Sequence, residues 1–274
     1  MKTTAKTIML LMAMIISLSS CKKDKDTGSV QVKVTDDPFP FEFVRKADLK
    51  ITKVELKNTE NEYVTVFEGN ANVNMVNYRN GATANIGVKD VPPGTYKGAR
   101  VTIDGAEVEL SNGTNFSVNA NANAQVETPI TPNFSISAKE EQAILLDIDL
   151  SDSFVFQGAF GGWISDVAQI TGISSFTPDV RVANLNASGA VSGVVKDNNG
   201  DVVANAEAYV KYDYDGDGLP EKVSTVTEAN GSFKIIGLPA GDYTLHVEAK
   251  NNKEASANVT VNVDNVASVD LTVN

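Results

Sequence analysis

The chain has 274 residues and a formal net charge of −12 at pH 7, with 35 acidic residues against 23 lysines and arginines. This length is sufficient for two domains of ordinary size. Binding to nucleic acid requires clustered Lys and Arg that neutralise phosphates, so the acidic balance argues against a nucleic-acid partner.

The first twenty residues have the pattern of a secretory signal peptide. Lys2 and Lys6 precede an apolar run at residues 8–16, and small residues follow that run. The run is too short to span a bilayer, which takes about 20 apolar residues. Leu18-Ser19-Ser20-Cys21 resembles the bacterial lipobox, whose cysteine is lipidated and becomes the first residue of the mature chain. This resemblance implies that residues 1–20 are removed and that Cys21 carries lipid.

Cys21 is the only cysteine, so its lipidation would leave no thiol for a disulfide. Removal of the leader with its two lysines would take the charge from −12 to −14, so acyl chains rather than basic residues would have to hold the chain on the membrane. The alternative is a plain secreted protein with one free thiol.

Residues 21–27 are charged and small, which predicts a flexible tether. Their Lys-Asp cluster is similar to the export signal of Bacteroidetes-type lipoproteins. That similarity implies an outer-membrane protein that faces outward, and a solvated linker is the alternative.

From residue 29 the sequence alternates between apolar and polar residues, which predicts half-buried strands. Val30, Val32 and Val34 would face the core, Thr35 the solvent, and a turn would begin at Asp36. The apolar residues of the next stretch, 47–56, change register once. Residues 139–150 again alternate between apolar and polar side chains. Breaks are predicted at the segments rich in Asn and Gly, residues 77–81, 111–115 and 119–123. The apolar residues of the two later stretches are Ala47, Leu49, Ile51, Val54 and Leu56, then Ile144, Leu146, Ile148 and Leu150.

Residues 91–96 and 238–243 share one motif, an apolar residue followed by Pro-x-Gly-x-Tyr. Proline fixes φ before a strand, and the tyrosine can bury its ring while its hydroxyl bonds nearby backbone. Two such corners indicate two β-sandwich domains.

The first of these domains resembles the Bacteroidetes lipoprotein domain of unknown function DUF4382. The resemblance rests on the segments 28–38, 49–56, 93–96 and 176–178, and it covers residues 28–182. The function of that family is itself uncertain.

Residues 151–176 interrupt the strand pattern with aromatic residues. One interpretation is a loop that stacks on a sugar or docks a partner, with Trp163, the only tryptophan, and Phe160 as ligand-binding residues. The alternative is a hydrophobic plug that closes one end of the sandwich.

Residues 187–274 resemble the carboxypeptidase regulatory-like domain, a seven-stranded, transthyretin-like sandwich without a catalytic role of its own. The resemblance rests on four features of this segment. They are the Gly-x-Val that opens a strand at Gly193, a tight turn at residues 198–200, Gly231-Ser232-Phe233 and Leu238-Pro239-Ala240-Gly241. The predicted fold class is therefore all-β, with two β-sandwich domains in tandem.

Residues 213–218 carry oxygen ligands at alternate positions followed by glycine, the pattern of the first half of an EF-hand loop. The twelfth position is Ser224 instead of the bidentate Glu, so Glu221 or a carbonyl would complete the shell. Asp213, Asp215, Asp217 and Glu221 thus predict a structural Ca²⁺ site, and an acidic exposed turn is the alternative.

No pattern in the sequence indicates an enzyme. The only histidine, His246, is predicted on a solvent-facing strand position, which leaves paired carboxylates as the one route to catalysis. We expect a lipid-anchored, non-catalytic envelope protein that binds or presents a ligand. A glycan is the leading candidate for that ligand. A structural or adhesion component that binds another envelope protein is the alternative, and a carboxylate hydrolase the third.

Overall fold

The computed structural model describes residues 26–37, 43–158 and 167–274, with the backbone alone at 120–123 and 168. The predicted signal peptide, Cys21, most of the predicted tether, Phe160 and Trp163 lie outside the described residues. No helix in the described ranges is long and apolar enough to cross a membrane.

Ten strands build a first unit, in which the four-residue helix α1 (Leu150–Ser153) joins two of them. Short 3-10 turns lie at Met75–Asn77, Val167–Gln169 and Leu185–Ala187. The strands are β1 (Gly28–Asp37), β2 (Val44–Asn58), β3 (Tyr63–Asn74), β4 (Ala84–Val91), β5 (Gly94–Leu110), β6 (Asn115–Ile136), β7 (Glu141–Asp149), β8 (Phe154–Gln157), β9 (Gly172–Phe176) and β10 (Asp179–Asn184).

Eight of these strands form one sheet in the order β3-β2-β5-β6-β10-β7-β1-β4. β1 runs parallel to β7, and β6 runs parallel to β10, whereas the other neighbours are antiparallel. Among the described residues β3 and β4 are therefore the two edges of the sheet. Apolar residues from both halves of the sheet form a single buried cluster.

The predicted core positions of β1, β2 and β7 are confirmed. Val30, Val32 and Val34 are fully buried, as are the apolar residues of the two later stretches. A bulge between Ile51 and Lys53 produces the register change that the sequence of β2 predicts.

The predictions for Thr35 and Asp36 are wrong. Both residues are buried, and β1 continues to Asp37, because its pairing with β7 extends to that residue and the Asp36 amide donates to the Tyr78 carbonyl at 2.8 Å. The Thr35 hydroxyl shares its one proton between the carbonyls of Tyr78 and Ala82, at 2.8 and 2.9 Å, which satisfies it inside the unit.

At the predicted break of residues 119–123 β6 continues, but its register with β5 shifts. Ile103 of β5 pairs with Ala124, whereas Gly105 pairs with Asn119.

The second unit is a sandwich of two four-stranded sheets, with orders β14-β11-β17 plus β18 on β11, and β13-β12-β15-β16. β17 and β18 pair with successive parts of β11 and together act as one interrupted strand, which gives seven strands. Its apolar residues form a second buried cluster. The predicted fold class is confirmed. The strands are β11 (Ser188–Asp197), β12 (Glu207–Tyr212), β13 (Glu221–Val226), β14 (Ser232–Pro239), β15 (Gly241–Ala249), β16 (Lys253–Val261), β17 (Val266–Ser268) and β18 (Leu271–Val273), with a 3-10 turn at Lys250–Asn252.

The two Pro-x-Gly-x-Tyr motifs form equivalent corners. The Tyr96 hydroxyl donates to the carbonyl of Pro92 at 2.8 Å, and the Tyr243 hydroxyl donates to the carbonyl of Pro239 at the same distance. Each corner joins a turn to the strand that follows it, as the shared motif predicts.

Candidate functional site

The structure brings together the four acidic residues of the predicted metal site. One carboxylate oxygen from each of Asp213, Asp215, Asp217 and Glu221 lies within 4.8 Å of the others, in the loop between β12 and β13. We call residues 213–221 the acidic loop. Its three aspartates are exposed, and Glu221 is half-buried.

Backbone amides already orient these carboxylates. Asp213 accepts hydrogen bonds from the N–H groups of Gly216 and Gly218 at 2.6 and 3.0 Å, and Glu221 accepts from that of Tyr214 at 2.9 Å. Each carboxylate retains lone pairs beyond these bonds. The loop therefore offers the hard oxygen ligands that Ca²⁺ uses.

A buried arginine joins the two units. The guanidinium of Arg181, on β10, donates to the Asp147 carboxylate at 2.5 and 3.1 Å and to the Tyr212 hydroxyl at 3.0 Å. It also donates to the carbonyls of Gly237 and Ile236 at 2.8 and 3.2 Å. All five N–H donors of the side chain are used, three of them on the second unit. We call this interface the seam.

The seam is closely packed around Arg181. A Cβ atom on Gly237, which has a φ of 71°, would lie 3.0 Å from Ala183 Cβ and 3.1 Å from a Leu145 methyl group. Leu145 and Ala183 are fully buried. The Thr131 hydroxyl adds a bond of 2.9 Å to the Tyr214 carbonyl, so the acidic loop is attached directly to the first unit.

A cleft of about 210 Å³ opens at the seam and is lined mainly by carboxylates, those of Asp147, Asp149, Asp152, Asp179 and Glu221. Burial raises the pKa of Asp149 to about 6, against the hydrogen bonds from Ser151 and the Asp152 amide, which lower it. Burial, with the charge of Asp152, also raises the pKa of Asp179. The sequence has too many acidic residues for these to be singled out.

The aromatic residues of the 151–176 region that the structure describes pack in the core. Phe154 and Phe176 are buried and stack with ring centroids 4.7 Å apart, and Phe156 packs against the same cluster. These contacts match the plug alternative. The predicted ligand-binding residues Phe160 and Trp163 are not among the described residues and stay predictions.

His246 lies on the outer face of β15, opposite the buried Leu245 and Val247, as predicted. Its ring stacks on that of Tyr209 with centroids 5.0 Å apart. The Tyr209 hydroxyl donates to Glu248 at 2.7 Å, so this histidine belongs to a surface cluster of packed side chains.

Sequence reasoning missed an open groove of about 580 Å³ between β3 and β4. Residues from both edge strands and from the segment that joins them line it. It could not be predicted because the pairings that make β3 and β4 the edges link distant parts of the chain.

Two family models match the chain. The model described as domain of unknown function (DUF4382) matches residues 27–164, and that of the carboxypeptidase regulatory-like domain matches residues 190–274. These matches confirm the assignment of the two domains to the DUF4382 and carboxypeptidase regulatory-like families. A comparison with curated proteins finds no match.

Among solved structures, the TIE protein of Bacillus anthracis is 12% identical, with a TM-score of 0.27, and the match covers 88% of this chain and 39% of that one. The minor pilin GBS52 of Streptococcus agalactiae is 14% identical, with a TM-score of 0.25 and coverages of 89% and 94%. The major pilin subunit BcpA of Bacillus cereus is 11% identical, with a TM-score of 0.23 and coverages of 90% and 99%. Likeness at these TM-scores carries no argument about function.

Proposed function

The chain belongs to the family described as domain of unknown function DUF4382, and from this premise we propose that it is a non-catalytic component of the cell envelope, anchored by lipid on Cys21, that binds or presents at the cell surface. Its second unit, of the carboxypeptidase regulatory-like type, is a rigid extension of the first.

The observation that carries this proposal is the seam. Arg181 is 4% exposed and bonds to three groups of the second unit, so the two units are held as one body. A rigid pair of sandwiches suits presentation, because a flexible hinge would leave the outer unit without a fixed direction.

The order of elements supports the same role. The predicted tether ends where β1 begins at Gly28, so the first unit would lie next to the membrane and the second beyond it. The sign of the net charge supports attachment through acyl chains instead of through basic residues.

We propose a glycan as the ligand, with recognition in the first unit. Phe160 and Trp163 remain the ligand-binding residues predicted from the sequence. A structural or adhesion role is the second candidate, and the exposed edge strand β16 favours it. Charged residues and proline usually prevent an edge strand from pairing with another strand, and residues 255–261 of β16 contain neither.

The seam cleft is the observation that would favour a hydrolase, since it holds buried carboxylates. Its volume of about 210 Å³ is below the roughly 300 Å³ at which small-ligand sites begin. Asp147, one of its carboxylates, is also committed to Arg181. Our proposal therefore contains no catalytic step.

We also propose that the acidic loop holds a structural Ca²⁺ ion. The convergence of Asp213, Asp215, Asp217 and Glu221 within 4.8 Å supports this assignment. Its role would be to fix the loop against the seam, where Tyr214 meets Thr131.

Anchoring and exposure are tested in cells. We expect the parent chain in the membrane fraction, released by detergent and not by salt, and expect Cys21→Ser to lose that attachment. Protease added to intact cells should digest the parent chain. Retention of the Cys21→Ser variant on the membrane would contradict the anchor, and full protection from protease would contradict the surface location.

A further inference from the structure

We propose that the groove between β3 and β4 is a binding site for a neutral oligosaccharide. The proposal rests on the glycan-binding role proposed above and names the place and the ligand class. It departs from the aromatic loop at residues 151–176 that the sequence indicated.

The shape of the groove fits a short ligand. At one end the Phe67 ring lies against β4, so that a Cβ atom on Gly87 would be 3.2 Å from Phe67 Cδ2. The other end lies at the turn that precedes Tyr78. A further β-strand cannot run the length of a groove that is closed at Phe67, whereas a volume of about 580 Å³ lies within the range of small-ligand sites.

The groove is uncharged. None of the residues that line it is acidic or basic, although 21% of the chain is charged and the net charge is −12. A charged ligand would gain no ion pair here and would have to give up part of its hydration. The lining therefore favours a ligand without formal charge.

The polar groups of the groove are amides. Asn70, Asn72 and Asn77 are exposed, and no hydrogen bond of their side chains to another described residue is present. Each free amide offers two N–H donors and one acceptor oxygen. Sugar hydroxyls, which both donate and accept, match that combination.

Two other asparagines fix the walls of the groove. The Asn74 Oδ1 atom accepts from the Ala47 amide at 3.2 Å, and the Asn85 Oδ1 atom accepts from the Gly87 amide at 3.0 Å. The first bond attaches β3 to β2, and the second lies within β4. Asn70 and Asn72 are thus carried by β3, whose position is set by the sheet, and Asn77 by the 3-10 turn that follows it.

Aromatic rings complete the site. Phe67 and Tyr78 are half-buried, and both pack against the core cluster of the first unit. Both residues also line the groove. An apolar ring face beside free amides is the combination that binds the C–H face and the hydroxyls of a sugar together.

The test uses the purified chain from residue 21 onward in detergent. Neutral cello-, malto-, manno- and xylo-oligosaccharides are titrated in parallel with uronic-acid oligosaccharides. We expect binding of a neutral series, and the Asn70→Ala, Asn72→Ala double variant should weaken it about tenfold or more through two lost hydrogen bonds. Asn258→Ala, an exposed strand asparagine of the second unit, is the matched control and should bind like the parent.

Asn72→Asp adds a charge at nearly constant shape and should also weaken neutral ligands. Melting temperatures of all variants should equal that of the parent, which separates lost binding from lost folding.

Full neutral-sugar affinity in the groove variants would overturn the site and leave the glycan role standing. Absence of binding to every neutral series, or preference for the uronic-acid series, would overturn the inference, while the cell-surface role is judged separately by protease exposure. Binding of a synthetic Tyr63–Asn74 peptide in place of sugars would identify a strand-pairing edge instead.

Discussion

Tyr96 and Tyr243 perform the same task in two unrelated sandwiches. Each hydroxyl donates to the carbonyl of the proline four residues earlier, at 2.8 Å in both corners. Their surroundings differ, since Tyr96 is buried with its ring near Phe134, whereas Tyr243 is only half-buried and has its edge against Tyr212.

Tyr96→Phe and Tyr243→Phe should therefore each lower the free energy of unfolding by about 1 kcal/mol. The loss should be larger at Tyr243, because Pro239 is half-buried and its carbonyl is left without a partner, whereas Pro92 is exposed and water can replace the lost bond. Urea unfolding of the two single variants measures the difference. Equal stability of both variants and the parent would mean that the corner bonds contribute nothing.

Asp149 makes stability depend on pH. Its pKa in the folded chain is about 6, above the ordinary 3.8, so the folded state binds a proton that the unfolded state has released between these values. Stability should fall as the pH rises from about 4 to 6, by up to about 3 kcal/mol.

Asp149→Asn keeps an oxygen that can accept from the Asp152 amide and removes the charge. The variant should be more stable than the parent at pH 7 and equal to it near pH 4. Urea unfolding across this range is the measurement, and a difference that stays constant with pH would contradict the assignment.

Among the elements, the acidic loop is the one whose stability should respond to a metal. If Ca²⁺ binds Asp215 and Asp217, the ion should raise the melting temperature of the parent, because a ligand that binds only the folded state stabilises it. The Asp215→Ala, Asp217→Ala double variant should lose this response. Calorimetry with Ca²⁺ and with EDTA tests this response. The same melting temperature of the parent in both conditions would contradict the calcium proposal.

Elements that depend on local pattern could be predicted from the sequence. The bulge in β2, the core positions of β7, the two tyrosine corners and the acidic loop all follow from residues close in the chain. The opposite face of β7 was predicted to be exposed, but Leu145 and Asp147 are buried there because the second unit covers them.

The pairing of β2 with β3 was not visible from residues close in the chain. Asn72 lies within β3 although asparagine is depleted in strands, because its pairing with Lys50 in β2 holds it extended, and Asn70 lies at the bulge between Glu68 and Ala71.

The seam and the groove escaped prediction for the same physical reason. Arg181 meets Tyr212 and Gly237 across the two units, and β3 and β4 become edges only through the order of the whole sheet. Neither relation leaves a periodic signal in one stretch of sequence. Aromatic residues such as Trp163 and Phe160 are conspicuous in a sequence, whereas unpaired amides are not.

At the scale of the whole molecule, Arg181 should make the two units unfold together. Arg181→Met leaves the buried Asp147 carboxylate unpaired and should cost about 3–5 kcal/mol. The Arg181→Met, Asp147→Leu double variant removes the charge as well and should recover part of that loss. Calorimetry should show one transition in the parent and two in Arg181→Met. A single transition in both would mean that Arg181 is not what couples the units, and two transitions in the parent would mean that the seam does not couple them.

The parallel pairing of β1 with β7 has a consequence for how the chain matures. Ser29 pairs with Glu141, more than a hundred residues later, so β1, which can pair with β4 first, lacks its second neighbour until β7 has been made. Contacts of such long separation form slowly and leave unpaired apolar strands exposed meanwhile. If the chain is exported as proposed, the valines of β1 would therefore stay without their β7 partners until the second half of the first unit has emerged.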